Sequence, residues 1–198
     1  MTTPLVHIDI LSPYLDKNKE RIQLPERMAK CTPDTQKAIL AIRARLEAMG
    51  GKLILSDMFR SFDMQFQSNK DFESGKKKAF SPPPGGSLHE SGRAIDLQLV
   101  DLKINLADFW VIAREFNLLP IIKTPDDSAS EAWHFDHAGS HSLVQAYALH
   151  HSSTNSYGEM AASAILSEGI KVLKFADRQI EANIQYSLVR LGYDLGSL

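Results

Sequence analysis

The sequence predicts an α+β fold, a small antiparallel sheet flanked by helices, with an all-helical C-terminal extension. Three observations predict it. Residues 52–59 (KLILSDMF) and 94–99 (AIDLQL) alternate apolar and polar side chains as strands do. Apolar residues at steps of three and four lie between and around them, as on amphipathic helices. From Ser140 onward the pattern is wholly helical, so the chain divides near residue 152 into a domain over 1–152 and a helical extension over 153–198.

In chain order, residues 1–31 hold a short apolar stretch (Leu5, Val6, Ile8, Ile10) and a polar loop broken by Pro13 and Pro25. Thr32-Pro33-Asp34 reads as a helix start, a hydroxyl cap followed by a proline whose missing N–H costs nothing there. Ile39, Ile42, Leu46 and Met49 continue the stripe and Gly50-Gly51 ends it. A second helix is expected from Ser61 towards Gly75. Residues 76–87, with three lysines, three prolines and Gly85-Gly86, read as an exposed loop. Leu106, Phe109, Trp110, Ala113 and Phe116 make a further stripe that ends near Asn117 and Pro120. Residues 121–123 and 132–136 are expected to complete the sheet. Helices are expected over 140–150, 157–168 and 171–191, the last with a stripe of Leu173, Ala176, Ile180, Ile184, Leu188 and Leu191.

Composition narrows the function. The chain has 198 residues, 43% hydrophobic and 23% charged, enough for a substantial core. A net charge of −2 gives no general attraction to nucleic acid or to an anionic membrane, and the sequence contains no run of about 18 apolar residues of the kind that spans a bilayer. A single cysteine, Cys31, excludes an internal disulfide framework and suits a small buried apolar role. The N-terminus lacks a basic start followed by an apolar core and does not read as a signal peptide.

Three segments stand apart from the core pattern. In S-L-H-E-S-G-R-A-I-D (87–96), His89 and Asp96 are metal-ligand types, and Gly92 between them permits a tight turn. Asp96 falls on the polar side of its strand, opposite Ile95 and Leu97. In E-A-W-H (131–134), His134 offers a third ligand and Glu131 a base for water. Residues 131 and 134 of an ideal strand face opposite ways, so Glu131 must sit just before the strand or at a bulge. In S-D-M-F-R-S-F-D-M-Q (56–65), Arg60 lies at a strand–helix junction, placed to hold a carboxylate or an oxyanion. Each residue also has an ordinary reading: His89 as a solvated loop histidine, Asp96 and Glu131 as surface acids, Trp133 as a pocket wall. His7, His137, His141, His150 and His151 have no convincing partners and read as structural or surface residues.

The ordered combination S-x-H-x-x-G-x-A-x-D, E-x-W-H and an upstream F-R-S-x-x-x-Q resembles the zinc D-alanyl-D-alanine peptidases, the VanY-type carboxypeptidases and VanX-type dipeptidases. Ser87, His89, Gly92, Ala94, Asp96, Glu131, Trp133 and His134 fill every fixed position of the first two motifs. The resemblance implies one Zn2+ bound by His89, Asp96 and His134, with Glu131 as catalytic base and Arg60 on the reacting carbonyl oxygen. It places Ser87, Trp133 and Gln65 in substrate binding. The substrate it implies is a peptidoglycan stem peptide or another D-Ala-D-Ala-containing peptide, with neither nucleic acid nor membrane insertion involved. Two alternatives stay open: a lysin-type endopeptidase cutting between L-Ala and D-Glu, and a non-catalytic zinc module like the hedgehog domain. Residues 180–198 resemble the opening helix and turn of a three-helix peptidoglycan-binding domain, read either as the start of a truncated domain or as a coincidental L-G-Y ending.

Overall fold

A computed structural model describes residues 4–150, 156–170 and 179–196. His151, Leu173, Ala176, the expected helix start at 171 and the boundary at 152 lie outside them. The architecture is the expected mixed one: small antiparallel sheets and six α-helices among the described residues. No described helix is long and apolar enough to cross a membrane.

Leu5–Phe59 and Gly92–Gly139 form one compact unit. Its strands β1 (Val6–His7) and β4 (Lys30–Cys31) pair, as do β2 (Leu11–Leu15) and β3 (Arg21–Gln23). Helix α1 (Pro33–Ala48) buries Ile39, Ile42 and Leu46 of the predicted stripe together with Ala38, while Met49, just past its end, is exposed. Thr32 occupies the cap position, but its hydroxyl makes no cap bond. It donates instead to Asp34 at 2.6 Å and accepts from Arg93 at 3.0 Å.

The main sheet runs β5-β6-β8-β7, antiparallel throughout: β5 (Leu55–Asp57), β6 (Ala94–Leu97), β7 (Leu118–Pro120) and β8 (His134–His137). β5 is shorter than the expected 52–59: its register against β6 shifts between Leu55 and Asp57, and just beyond it the Met58 N–H donates to the Asp57 carboxylate at 2.9 Å. The expected strand at 121–123 is replaced by β7. Asn117, at φ 56°, turns the chain straight out of α3 (Leu106–Glu115) into the sheet, and Pro120 closes this edge strand. Phe109 of α3 meets Phe135 of β8 edge to face at 5.1 Å, both fully buried.

The second unit contains Arg60–Ser91 and the described residues from Ser140 onward. Helix α2 (Phe62–Glu73) begins at Ser61, whose hydroxyl accepts the Met64 N–H at 3.3 Å. After it, residues 81–87 are largely buried rather than exposed as expected. Side-chain amides supply the backbone partners that this proline-rich segment cannot obtain from regular structure: Asn69 donates to the Ser81 carbonyl at 2.9 Å and Gln65 to that of Pro82 at 2.6 Å. Helices α4 (Ser142–His150), α5 (Ser156–Ser167) and α6 (Gln179–Arg190) complete the unit, and α5 packs against a 3-10 turn at Leu88–Ser91. Among the described side chains of α6, Tyr186 and Val189 are buried; of the expected stripe Leu188 is half-buried, and Ile180, Ile184 and, just past the helix, Leu191 are exposed.

Candidate metal centre

Asp96 on β6 and His134 on β8 stand directly opposite one another in the ladder, so their side chains share one face of the sheet. His134 Nδ1 lies 2.9 Å from Asp96 Oδ1 and its Nε2 lies 3.1 Å from Asp136 Oδ1. Burial alone would depress the imidazole's affinity for a proton. The flanking Asp136 and Asp96 carboxylates override it and push the pKa up to about 10.

His89 belongs to the 3-10 turn Leu88–Ser91 and is 1% exposed. Gly92 follows at φ +64°, where a Cβ would stand 2.7 Å from the Cα of Cys31. The motif's glycine is therefore required twice, by conformation and by space. One ligand atom from each of His89, Asp96 and His134 can be chosen so that all lie within 4.8 Å of one another. Two imidazoles and one carboxylate are a donor set that suits zinc and leaves a coordination position for a reactant.

Glu131 sits in the turn before β8 at φ 68°, and its carbonyl accepts the His134 N–H at 3.0 Å. The strand periodicity that would have turned Glu131 away from His134 does not apply, because the strand begins only at His134. Trp133 is half-buried and gives its carbonyl to the Leu97 N–H at 2.8 Å, extending the β6–β8 pairing by one bond.

Arg60 is 9% exposed. Its backbone N–H donates to the His89 carbonyl at 3.2 Å, and its guanidinium to Gln65 Oε1 at 3.2 Å. Gln65 is fully buried, and its amide nitrogen lies 3.1 Å from Ser81 Oγ and 2.6 Å from the Pro82 carbonyl. It braces the proline segment and Arg60. Ser87 is buried, and its carbonyl receives the Glu90 N–H at 3.0 Å.

Sequence reasoning missed three buried charged residues. Glu90 is fully buried and accepts the Gly85 N–H at 2.8 Å; burial is the main cause that pushes its carboxyl up to about 7. Arg93, 1% exposed, bridges both oxygens of Asp34 at 3.0 Å and donates to the Ala138 carbonyl at 2.8 Å. Asp136, two residues beyond His134 on the same strand face, had a findable signal in the period-2 rule. His137 faces elsewhere: its Nδ1 lies 2.7 Å from Thr35 Oγ1, and burial with the nearby Arg93 charge lowers its pKa to about 4. It is a buried histidine with a definite partner, where the sequence offered none and left it as structural or surface.

No protein-family model matches the chain, and no curated protein matches it. Solved structures do. The chain aligns with the LdcB LD-carboxypeptidase, described for its peptidoglycan recognition, at a TM-score of 0.50 and 18% identity, covering 68% of each chain. VanY, a vancomycin-resistance D,D-pentapeptidase solved with Zn(II), gives 0.44 at 15% identity over 67% of this chain and 80% of its own. DacB, an L,D-carboxypeptidase from Streptococcus pneumonia, gives 0.43 at 16% over 82% and 89%. The likeness is one of fold: a small α+β fold shared with LdcB.

Proposed function

We propose that the chain is a zinc peptidase of peptidoglycan stem peptides that releases a terminal D-alanine, with His89, Asp96 and His134 as the metal ligands. The observation that carries the reading is the convergence of these three donors within 4.8 Å, with Glu131 in the turn leading directly into His134. A zinc ion held there supplies Lewis acidity towards the scissile carbonyl and towards water. Glu131 takes a proton from the attacking water as oxygen bonds to the carbonyl carbon, then gives it to the leaving nitrogen as the C–N bond breaks. Arg60 donates to the oxygen on which negative charge develops. Ser87 and Trp133 line the peptide site, and Gln65 serves it by holding Arg60. The products are a shortened peptide carboxylate and D-alanine.

A second reading has its own support, since LdcB, whose fold the chain shares, is named as an LD-carboxypeptidase. In that case the bond cut would join D-alanine to an L-centre. The deciding experiment offers pentapeptide and tetrapeptide stems to the zinc-loaded protein and to Glu131→Ala, with products read by mass spectrometry. Loss of D-alanine from the pentapeptide alone, abolished in the variant, establishes the D,D reading. Loss from the tetrapeptide establishes the L,D reading, and an internal cut the endopeptidase. Zinc uptake with every stem left whole would overturn the peptidase assignment.

A further inference from the structure

The structure assigns Asp136 as a positioning residue that fixes the orientation and tautomer of His134; the assignment rests on the metal reading above. His134 and Asp136 are separated by two on β8, so their side chains leave the same face of the sheet. Asp136 is 3% exposed, and its Oδ1 lies 3.1 Å from His134 Nε2. Asp96 reaches the other ring nitrogen, Nδ1, at 2.9 Å. The two carboxylates therefore bracket the imidazole from opposite edges, and of the two only Asp96 belongs to the ligand cluster.

A ligating imidazole is neutral, with a lone pair on one nitrogen and a hydrogen on the other. An ionised carboxylate accepts hydrogen bonds and donates none. Asp136 thus keeps the hydrogen on Nε2 and leaves the Nδ1 lone pair pointing to the Asp96 side, where the ligands converge. Such outer partners hold the ring in place and raise its basicity as a ligand.

The register gives this pair its room. The residue opposite Asp136 in the ladder is Ala94, itself fully buried. Directly opposed side chains in an antiparallel pair have Cβ atoms only about 4.5–5.5 Å apart. A long side chain at 94 would press into Asp136, so the alanine of the S-x-H-x-x-G-x-A-x-D motif acquires a physical reason in this chain.

The test titrates zinc, against a competing chelator, and cobalt, by its visible absorption, into the metal-free 198-residue chain and its variants Asp136→Asn, Asp136→Ala and His134→Ala. Melting curves of the metal-free forms confirm that each is folded. Asp136→Ala should bind zinc about 10- to 100-fold more weakly and shift the cobalt spectrum. Asp136→Asn, near in shape and still able to accept from Nε2–H, should recover part of both. Zinc affinities of both Asp136 variants within twofold of the parent, with unchanged cobalt spectra while His134→Ala loses binding, would overturn the assignment and leave the metal site standing. A parent protein that takes up neither metal would overturn the metal reading and the assignment with it.

Discussion

Gln65 accepts a hydrogen bond from Arg60 at 3.2 Å and simultaneously holds the Pro82 carbonyl at 2.6 Å, coupling the guanidinium to the buried proline segment. Replacement by alanine deletes both bonds inside a fully buried site. Gln65→Ala should cost about 1–3 kcal/mol in urea unfolding, the usual penalty for stranding a buried polar partner. Because Arg60 would lose its brace while the proposed ligands stay in place, peptide hydrolysis should fall at least tenfold with zinc stoichiometry unchanged. An unaltered rate would show that Gln65 does nothing for Arg60 in turnover.

Gly92 should tolerate no side chain. Its left-handed φ of +64° strains any L-residue by about 1–2 kcal/mol, and the added Cβ would meet the Cys31 backbone at 2.7 Å. Crowding of this kind costs a further ~1–3 kcal/mol. Gly92→Ala is expected to lower stability by a few kcal/mol and to move the neighbouring His89 turn. A variant that melts with the parent would contradict this account of the motif.

The pH dependence of the metal-free protein should carry the signature of Glu90. Its native pKa stands at about 7 against 4.5 in an unfolded chain, so the native state holds this proton more tightly. The associated stability is fully present below about pH 4.5 and is lost as pH rises to about 7, an effect of about 3 kcal/mol. Urea unfolding of Glu90→Gln across that interval should show a loss smaller by this amount than in the parent. Parallel curves for the two proteins would refute it.

Cys31 should be chemically silent in the folded state. It is fully buried, and burial, reinforced by Asp34, pushes its thiol up to about 12. Ellman-type reagents should label it only after denaturant is added, and rapid labelling of native protein would be the contrary result.

Much of this was legible in advance where a residue's role follows from local chemistry. Most of the α1 stripe, the helix start at Ser61 and the two halves of the sheet around Asp96 and His134 follow from local patterns that need no tertiary information. Even the difficulty over Glu131 pointed to its resolution, a turn before the strand. What escaped were roles created by distant partners. Thr32 forgoes capping because Arg93, 61 positions away, competes for its hydroxyl. The proline segment looked exposed because nothing in its own composition reveals that Gln65 and Asn69 would receive its carbonyls. The α6 stripe was assigned to the wrong face because Ile180 and Ile184 are more apolar than Tyr186, the residue the fold buries.

The packing of α5 against the Leu88–Ser91 turn has a consequence for anyone shortening this protein. A recombinant fragment stopped near residue 152, where the sequence pattern suggests a boundary, would lack α5 and strip the support from the segment that carries His89. Such a fragment is expected to bind metal poorly for mechanical reasons, and a negative assay on it would say nothing about the chemistry of the 198-residue chain.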